Sequence, residues 1–475
     1  MLISPLPITL LHSSVAILVS CHVALRKRNV RAAIGWIGLI WLVPLAGALL
    51  YFLLGINRIS RTGSSLGFET HVRAHDQLYP STNSTRVPHS GFSGMNRLAE
   101  AVTHRPLMSG NRIEPLIHGD QAYPAMLEAL RGAQKSVTFS SYIFDNDRAG
   151  AQFIDALAQA HIRGVAVRVL VDGVGARYSK IDTVTTLRKL GVPAAKFLPN
   201  RPTTLFRYAN LRNHRKLMVV DGLLGFTGGM NIREGNVVAL PSAHPIRDIH
   251  FKVQGPIVED LQRAFAIDWA FTVGERLDGP DWFPRIQETE REGGVYARGI
   301  PDGPDTDMDN MRLVMLGALA AAQDRLKIVT PYFLPDSALA AALQTTALRG
   351  VRVDIILPEK SNIFFMDWAM EAQLSDLIDR GCRITLSPPP FDHSKLFVVD
   401  GLWSLIGSTN WDPRSLRLNF EYNLECYDPP LAHTLETLID GRIEKGRPLT
   451  AEYLRSLPRI RRLRDGFARL LTPYL

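Results

Sequence analysis

The chain has 475 residues, 46% of them hydrophobic, and a formal charge of +8, which is room for two or three domains with sizeable cores. Its cysteines, Cys21, Cys382 and Cys426, lie far apart, give no disulfide framework and lack metal-ligand spacing. A basic excess ordinarily suggests nucleic acid, but here it sits at the ends: six basic and no acidic side chains in 1–61, six arginines against Glu452 and Asp465 in 451–475, and −2 over the body between.

In chain order, ITLLHSSVAILVSCHVAL (8–25) is a first apolar run just long enough to cross a bilayer. No basic region precedes it, and the cluster Arg26, Lys27, Arg28 and Arg31 follows it, which opposes a secretory signal peptide and favours a hairpin with a short basic loop. AAIGWIGLIWLVPLAGALLYFLLGI (32–56) is uncharged over 25 positions and reads as the second span, its glycines and Pro44 being tolerated in membrane helices. Residues 1–56 are thus expected to form a membrane anchor of two transmembrane helices. The positive-inside rule sends the basic loop to the cytoplasm, while Arg58, Arg61 and Arg73 pull the other way, so the side of the large body stays open. Residues 57–108 are mostly polar and read as a linker, with TNSTRVPHSGFSG its turn-rich part.

From 109 a repeated order sets in. SVTFSSYIF (136–144), GAQFIDALAQAHIRG (150–164) and VAVRVLVDG (165–173) read as strand, helix and strand. LKIVTPYFL (326–334), SALAAALQTTALRG (337–350) and VRVDIILP (351–358) repeat that order, and the Arg-Gly-Val junction recurs at Arg163-Gly164-Val165 and Arg349-Gly350-Val351. Two similar α/β halves with mixed sheets follow, 109–300 and 301–450. The final segment, 451–475, spaces Leu457, Ile460, Leu463, Phe467, Leu470 and Leu471 helically among arginines. That is the composition of an amphipathic helix at an anionic membrane surface, and equally of a docked helix with a solvated basic face. NIFFMDWAM (362–370) fits a packed helix or a lipid entrance.

The chemistry concentrates in a duplicated pattern. His214-x-Lys216-x4-Asp221 lies in NHRKLMVVDG, and His393-x-Lys395-x4-Asp400 lies in DHSKLFVVDG, 179 residues later. Asn231 and Asn410 follow their histidines at the same distance of 17 residues. On a strand, residues two apart share a face, so each histidine and lysine point the same way. Two histidines can divide nucleophilic attack and proton transfer at a phosphodiester, while Lys216, Lys395, Asn231 and Asn410 hold its phosphate oxygens. Nothing in the pattern demands a metal or cofactor. Asp248 and Glu421, 34 and 28 residues beyond His214 and His393, are expected to accept from their own halves' imidazoles.

These residues resemble the phospholipase D superfamily, and within it the bacterial cardiolipin synthases. The likeness covers nearly the whole chain: WLVPLAGALLYFLLG, YIFDND, RGVAVRVLVDGVG, RNHRKLMVVDG with GFTGGMN, DHSKLFVVDG with IGSTNWDPRSLRLNFEYNLE, and ARLLTPYL. It implies two phospholipase D-like α/β/α halves sharing one active site behind an N-terminal transmembrane hairpin, in the bacterial inner membrane. It implies transfer of a phosphatidyl group between two phosphatidylglycerols through a phosphohistidine, with glycerol released. Anionic lipids and the bilayer are the expected partners rather than nucleic acid, and oligomeric state is left open. The resemblance suggests His214 as nucleophile and His393 as acid and base, roles that the symmetric motifs alone leave interchangeable. Asp221 and Asp400 belong to the catalytic set as braces of the local polar network. The same residues would serve a phospholipase D that accepts water, or a synthase drawing on phosphatidylethanolamine; a non-enzymatic scaffold would not need them. One departure stands out: GGMNIREGN lacks the tyrosine often found near there, which leaves head-group contacts open.

Overall fold

The computed structural model describes residues 5–27, 30–43, 45–52, 90–199, 211–284, 294–304 and 307–470. It divides into two units, 1–62 and 63–475. In the first, α1 (Pro5–Arg26) contains Thr9–Arg26, which is long and apolar enough to cross a membrane. The uncharged run expected to form the second span is not one helix. It forms α2 (Val30–Leu42) and α3 (Ala46–Leu50), and the chain doubles back between them. Tyr51 packs its ring 5.5 Å from Trp36 and meets His22 through its hydroxyl, contacts that a straight helix would forbid. The cause is local: a proline at 44 offers no N–H to the helical ladder and disfavours the α conformation before it, and Leu45 takes a left-handed φ of 58°. At ~1.5 Å per residue, α2 covers about 20 Å, short of a ~30 Å hydrocarbon core.

The second unit begins with a correction to the linker. Of 57–108, residues up to 89 lie outside the described part, but α4 (Ser93–Thr103) is a helix. Phe92, Met95 and Ala99 enter the core of the second half; their helical spacing was hidden among polar neighbours. The first half then runs β1 (Met108–Ile117), α5 (His118–Gly132), β2 (Ser136–Ser141), α6 (Arg148–Ile162), β3 (Ala166–Asp172), α7 (Thr183–Lys189), β4 (Ala194–Phe197), β5 (Arg212–Asn213), β6 (Leu217–Val220), β7 (Leu224–Gly228), β8 (Ile246–Arg247), β9 (Ile249–Gln254) and α8 (Val258–Val273). The second half runs β10 (Val295–Asp302), α9 (Asn310–Ala321), β11 (Arg325–Val329), α10 (Ser337–Leu348), β12 (Arg352–Pro358), α11 (Phe364–Asp379), β13 (Arg383–Ser387), β14 (Phe391–Asp392), β15 (Leu396–Val399), β16 (Trp403–Gly407), β17 (Asn419–Tyr427) and α12 (Pro429–Lys445). β18 (Arg447–Leu449), α13 (Ala451–Ser456) and α14 (Arg459–Leu470) close the chain.

The halves join into one mixed sheet in the order β18-β13-β12-β11-β15-β16-β17-β10-β1-β9-β7-β6-β2-β3-β4. Apart from the extra edge strand β18, the order reads the same from both sides of the central antiparallel pair β1–β10, in which Met108 faces Ala297 and Asn111 faces Val295. β10 starts at Val295, so the second half begins before residue 301 and the expected boundary cuts its first strand. The repeat is carried by local chemistry. Asp147 and Asp336 cap α6 and α10 by accepting two backbone N–H groups each. Gly164 and Gly350 end both helices at φ 92°, where a side chain is strained. Arg163 and Arg349 tie those ends to carbonyls of the preceding helices, Leu130 and Leu319, at 3.0 Å.

β6 and β15 are buried on both faces. Met218 and Val220 enter the first half's outer core and Leu217 and Val219 the opposite one; Phe397 and Val399, then Leu396 and Val398, do the same. Apolar runs of four are what a doubly covered strand requires.

Candidate active site

His214 and Lys216 lead into β6, and His393 and Lys395 lead into β15, so rigid interior strands aim all four side chains. The segments before the histidines cross between the halves. β5 pairs in parallel with the start of β17, Arg212 opposite Asn419 and Asn213 opposite Phe420. β14 pairs in parallel with β8, Phe391 opposite Ile246 and Asp392 opposite Arg247. The ladders continue into the motifs, with His214 N–H donating to Phe420 O at 2.9 Å and His393 N–H to Arg247 O at 2.7 Å.

This crossing overturns the expected pairing of carboxylates. His214 Nδ1 lies 3.0 Å from Glu421, in the second half. His393 Nδ1 lies 2.9 Å from Asp248, in the first. Linear spacing placed each carboxylate with its own half's histidine; the two short parallel ladders exchange them. Glu421 and Asp248 are fully buried. With Nδ1 committed to a carboxylate, each ring keeps Nε2 for phosphorus or a proton.

Burial lowers the His214 pKa to about 4, with Lys216 adding to the shift and Glu421 opposing it. Burial, then Lys395 and Lys216, push His393 well below the usual imidazole range. Desolvation also brings Lys216 down to about 7 and Lys395 to about 8. The carboxylates differ: burial raises Asp248 to about 6, whereas at Glu421 burial is outweighed by His214, Lys216 and Ser408, and the group stays below its ordinary value. Two lysines and two neutral imidazoles enclosed in this way favour an anion, whose charge would restore protons to the ring nitrogens.

Lys216 Nζ donates to His214 O at 2.6 Å, and Lys395 Nζ to His393 O in the same way. Asn231 Oδ1 accepts from Ile143 N–H at 3.1 Å, and Asn410 Nδ2 meets Ser415 Oγ at 3.2 Å. All four are buried. Asp221 and Asp400 are elsewhere. Each lies seven residues past its histidine, about 23 Å along an extended segment, and takes a left-handed φ of 54°. Asp221 accepts from the N–H groups of Gln134, Lys135 and Ser136, and Asp400 from those of Gln323, Asp324 and Arg325. They brace the entries to β2 and β11 and touch no reacting group, so they leave the catalytic set.

Sequence reading missed several groups. The Tyr142 ring stands 5.0 Å from His214 and 5.4 Å from Lys216 Nζ, and the Tyr332 ring 6.4 Å from His393. Aligning SYIF with PYFL in the repeat would have found the pair. Ser408 Oγ and Asn419 Nδ2 both donate to Glu421. Arg215, the middle residue of the first motif, donates to Glu421 O at 3.1 Å and pairs with buried Asp268 at 2.8 Å. In the second half Arg442, from α12, pairs with Asp392 at 2.7 Å and reaches Ser394.

Comparison with known proteins adds the following. The family profile described as "Cardiolipin synthase, PLD-like domain" matches residues 126–269 and 315–442, and "Phospholipase_D-nuclease N-terminal" matches 15–55. The chain is 31% identical over 466 residues to "Cardiolipin synthase A" of Pseudomonas fluorescens (strain SBW25), covering 96% of each chain. It is 28% identical over 463 residues to "Cardiolipin synthase" of Oceanobacillus iheyensis, covering 95% of each. Among solved structures, the phosphatidylserine synthase of Haemophilus influenzae Rd KW20 superposes with a TM-score of 0.62 at 16% identity, covering 80% of this chain and 100% of that one, which supports the fold.

Proposed function

The chain belongs to the phospholipase D-like family of the cardiolipin synthases, and from that membership we propose that it moves a phosphatidyl group from one phosphatidylglycerol to another. The observation that carries the chemistry is the crossed pair of histidine–carboxylate contacts, which gives two imidazoles with the same Nδ1 arrangement in one buried site. In the first step His214 Nε2 attacks phosphorus, and the bond to the glycerol head group breaks. His393 supplies the proton for the departing glycerol oxygen. In the second, His393 takes the proton of a hydroxyl on a second phosphatidylglycerol, whose oxygen displaces His214 and yields cardiolipin. Lys216 and Lys395 offset charge on the non-bridging oxygens, with Asn231 and Asn410 beside them.

Placing the nucleophile at His214 is supported by Glu421, whose low pKa keeps it ionised opposite the positive charge that develops on a phosphorylated imidazole. The protein is membrane-associated through its N-terminal unit, where, among the described residues, α1 alone has the length and apolarity of a span. We assign it to the bacterial inner membrane. A second crossing by 32–56 requires α2 and α3 to straighten into one helix; a reporter fused after residue 62 would lie on the same side as the N-terminus if they do, and opposite it if only α1 crosses.

The test is purified protein with labelled phosphatidylglycerol alone, resolving lipids and glycerol, with His214→Ala and His393→Ala. Cardiolipin and glycerol formed together, and lost in both variants by about four orders of magnitude, is the expected result. Phosphatidic acid without cardiolipin would replace transfer by hydrolysis. Labelled phosphate trapped on the protein in His393→Ala but not in His214→Ala would identify the nucleophile.

A further inference from the structure

The C-terminal helix docks the wrong way round for a soluble protein. α14 packs on α11 through Arg461, which meets Glu371 at 2.8 Å, through Arg464, whose guanidinium lies 4.2 Å over the Trp368 ring, and through buried Asp465 and Ala468. Its large apolar side chains are turned outward instead. Ile460 is 78%, Leu463 61%, Phe467 64% and Leu470 67% exposed. Their spacing of three and four residues makes them one continuous stripe along the helix. Arg459, Arg462 and Arg469 are exposed as well, and at 100° per residue they fall along one edge of the stripe. The helix's single acidic residue, Asp465, is buried against Arg464, so α14 itself exposes apolar and basic side chains and no acidic one. Exposing that much apolar surface to water carries a free-energy cost that a soluble surface would have no reason to keep.

The stripe also leads towards the catalytic histidines. Trp368, under Arg464, packs its ring 5.1 Å from Phe364, which is 66% exposed at the start of α11 beside Ile363, itself 43% exposed. One residue earlier, Asn362 accepts a hydrogen bond from the Tyr332 hydroxyl, and the Tyr332 ring neighbours His393. The start of α11 thus links the helix carrying the stripe, through Trp368, Phe364 and Asn362, to the Tyr332 ring beside His393.

We propose that α14, with Ile363 and Phe364, is an interfacial docking surface that seats the body on an anionic bilayer and holds the His393 side of the site against the lipid from which substrate is drawn. The occupant is a lipid surface because the face combines an apolar stripe with flanking arginines, a pairing that fits acyl chains and anionic head groups together. The inference rests on the lipid-transferring reading of the site.

The experiment uses the full chain in lipid bilayers. In a Cys21→Ser, Leu463→Cys protein, whose remaining cysteines Cys382 and Cys426 are buried, an environment-sensitive dye on residue 463 should be quenched by a quencher carried on the lipid acyl chain. Quenching should be at least twice as strong in phosphatidylglycerol as in phosphatidylcholine bilayers. Absent or equal quenching in the two lipids overturns the proposal, as does dye shielding that depends on protein concentration rather than lipid, which would indicate a second copy. Separately, Leu463→Gln with Phe467→Gln should reduce turnover of bilayer phosphatidylglycerol about tenfold and leave turnover of dispersed short-chain phosphatidylglycerol unchanged. Equal loss on both substrates, or no loss on either, also overturns it. If the wild-type protein makes no cardiolipin, the synthase reading fails while the quenching result still decides the docking surface.

Discussion

At the His214 end of the site, the orienting carboxylate is itself held. Glu421 accepts from Ser408 Oγ and Asn419 Nδ2 as well as from the imidazole, and Arg215 ties its backbone carbonyl to the body. At the His393 end, the residue matching Ser408 is Gly229, where a Cβ would come within 2.7 Å of Asp248 Oδ1 and 3.1 Å of the Lys395 side chain. Asp248 therefore has no serine hydroxyl beside it. Its Oδ1 accepts from Ile249 N–H at 2.8 Å, and burial lifts its pKa to about 6. One duplicated motif has thus been given two electrostatic settings: a firmly ionised partner for His214, the proposed nucleophile, and a more readily protonated one for His393, the proposed acid and base. Near-identical sequences acquire different roles through what donates to the carboxylates, in line with the general rule that environments separate the pKa values of paired groups.

The most severe way to break this comparison is to remove the acceptors. Glu421→Gln should lower kcat by roughly 10³-fold or more, by analogy with loss of the orienting carboxylate in a catalytic triad. Asp248→Asn should cost about tenfold less if, as proposed, its partner only exchanges protons. Equal losses, measured on labelled phosphatidylglycerol, would remove the distinction between the ends.

A second contrast lies in pH. Below about 6, Asp248 takes up a proton and ceases to hold His393. Above about 7 and 8, Lys216 and then Lys395 lose the charges that offset phosphate. kcat/KM, which reports the free enzyme, should peak between about 6 and 7 and fall on both sides. Because arginine stays charged throughout, Lys216→Arg should move the alkaline limb upward even as the maximum drops. An unmoved limb would assign it to another group.

Smaller effects sharpen the asymmetry. Ser408→Ala removes one charge-assisted hydrogen bond to Glu421, worth about 1.5–3 kcal/mol, and should depress kcat at least tenfold with KM nearly constant. Gly229→Ser should not mirror the second half, because the close approach to Asp248 leaves no room; a loss of stability of about 1–3 kcal/mol is expected from overpacking, read as a lower Tm. Least damaging to chemistry is Asp221→Ala. It strips an acceptor from three backbone N–H groups and should lower Tm while leaving kcat within about twofold, in contrast to the motif histidines.

Much of this was legible beforehand because it is local. The helix caps Asp147 and Asp336, the glycine stops at 164 and 350, and the four-residue apolar runs into the two DG turns each state their structure within a few residues. Duplication then made every reading twice as secure. Legibility failed where a distant segment chose the outcome. Residues 90–103 seemed polar until α9 supplied the apolar surface that Met95 and Ala99 cover. The uncharged run 32–56 has the composition of a span, but its described part forms two separate helices, with Leu45 left-handed between them.

By itself, then, the sequence determined the family, the α/β repeat and the duplicated motif with its four side chains, since each is written within a few residues. Only the tertiary structure decided which carboxylate serves which histidine. That choice depends on two short parallel ladders between residues more than a hundred positions apart, and no local pattern encodes a pairing made between the two halves. The outward turn of the stripe on α14 was decided in the same way, when Glu371 and Trp368 bound the arginine face and left the apolar one uncovered.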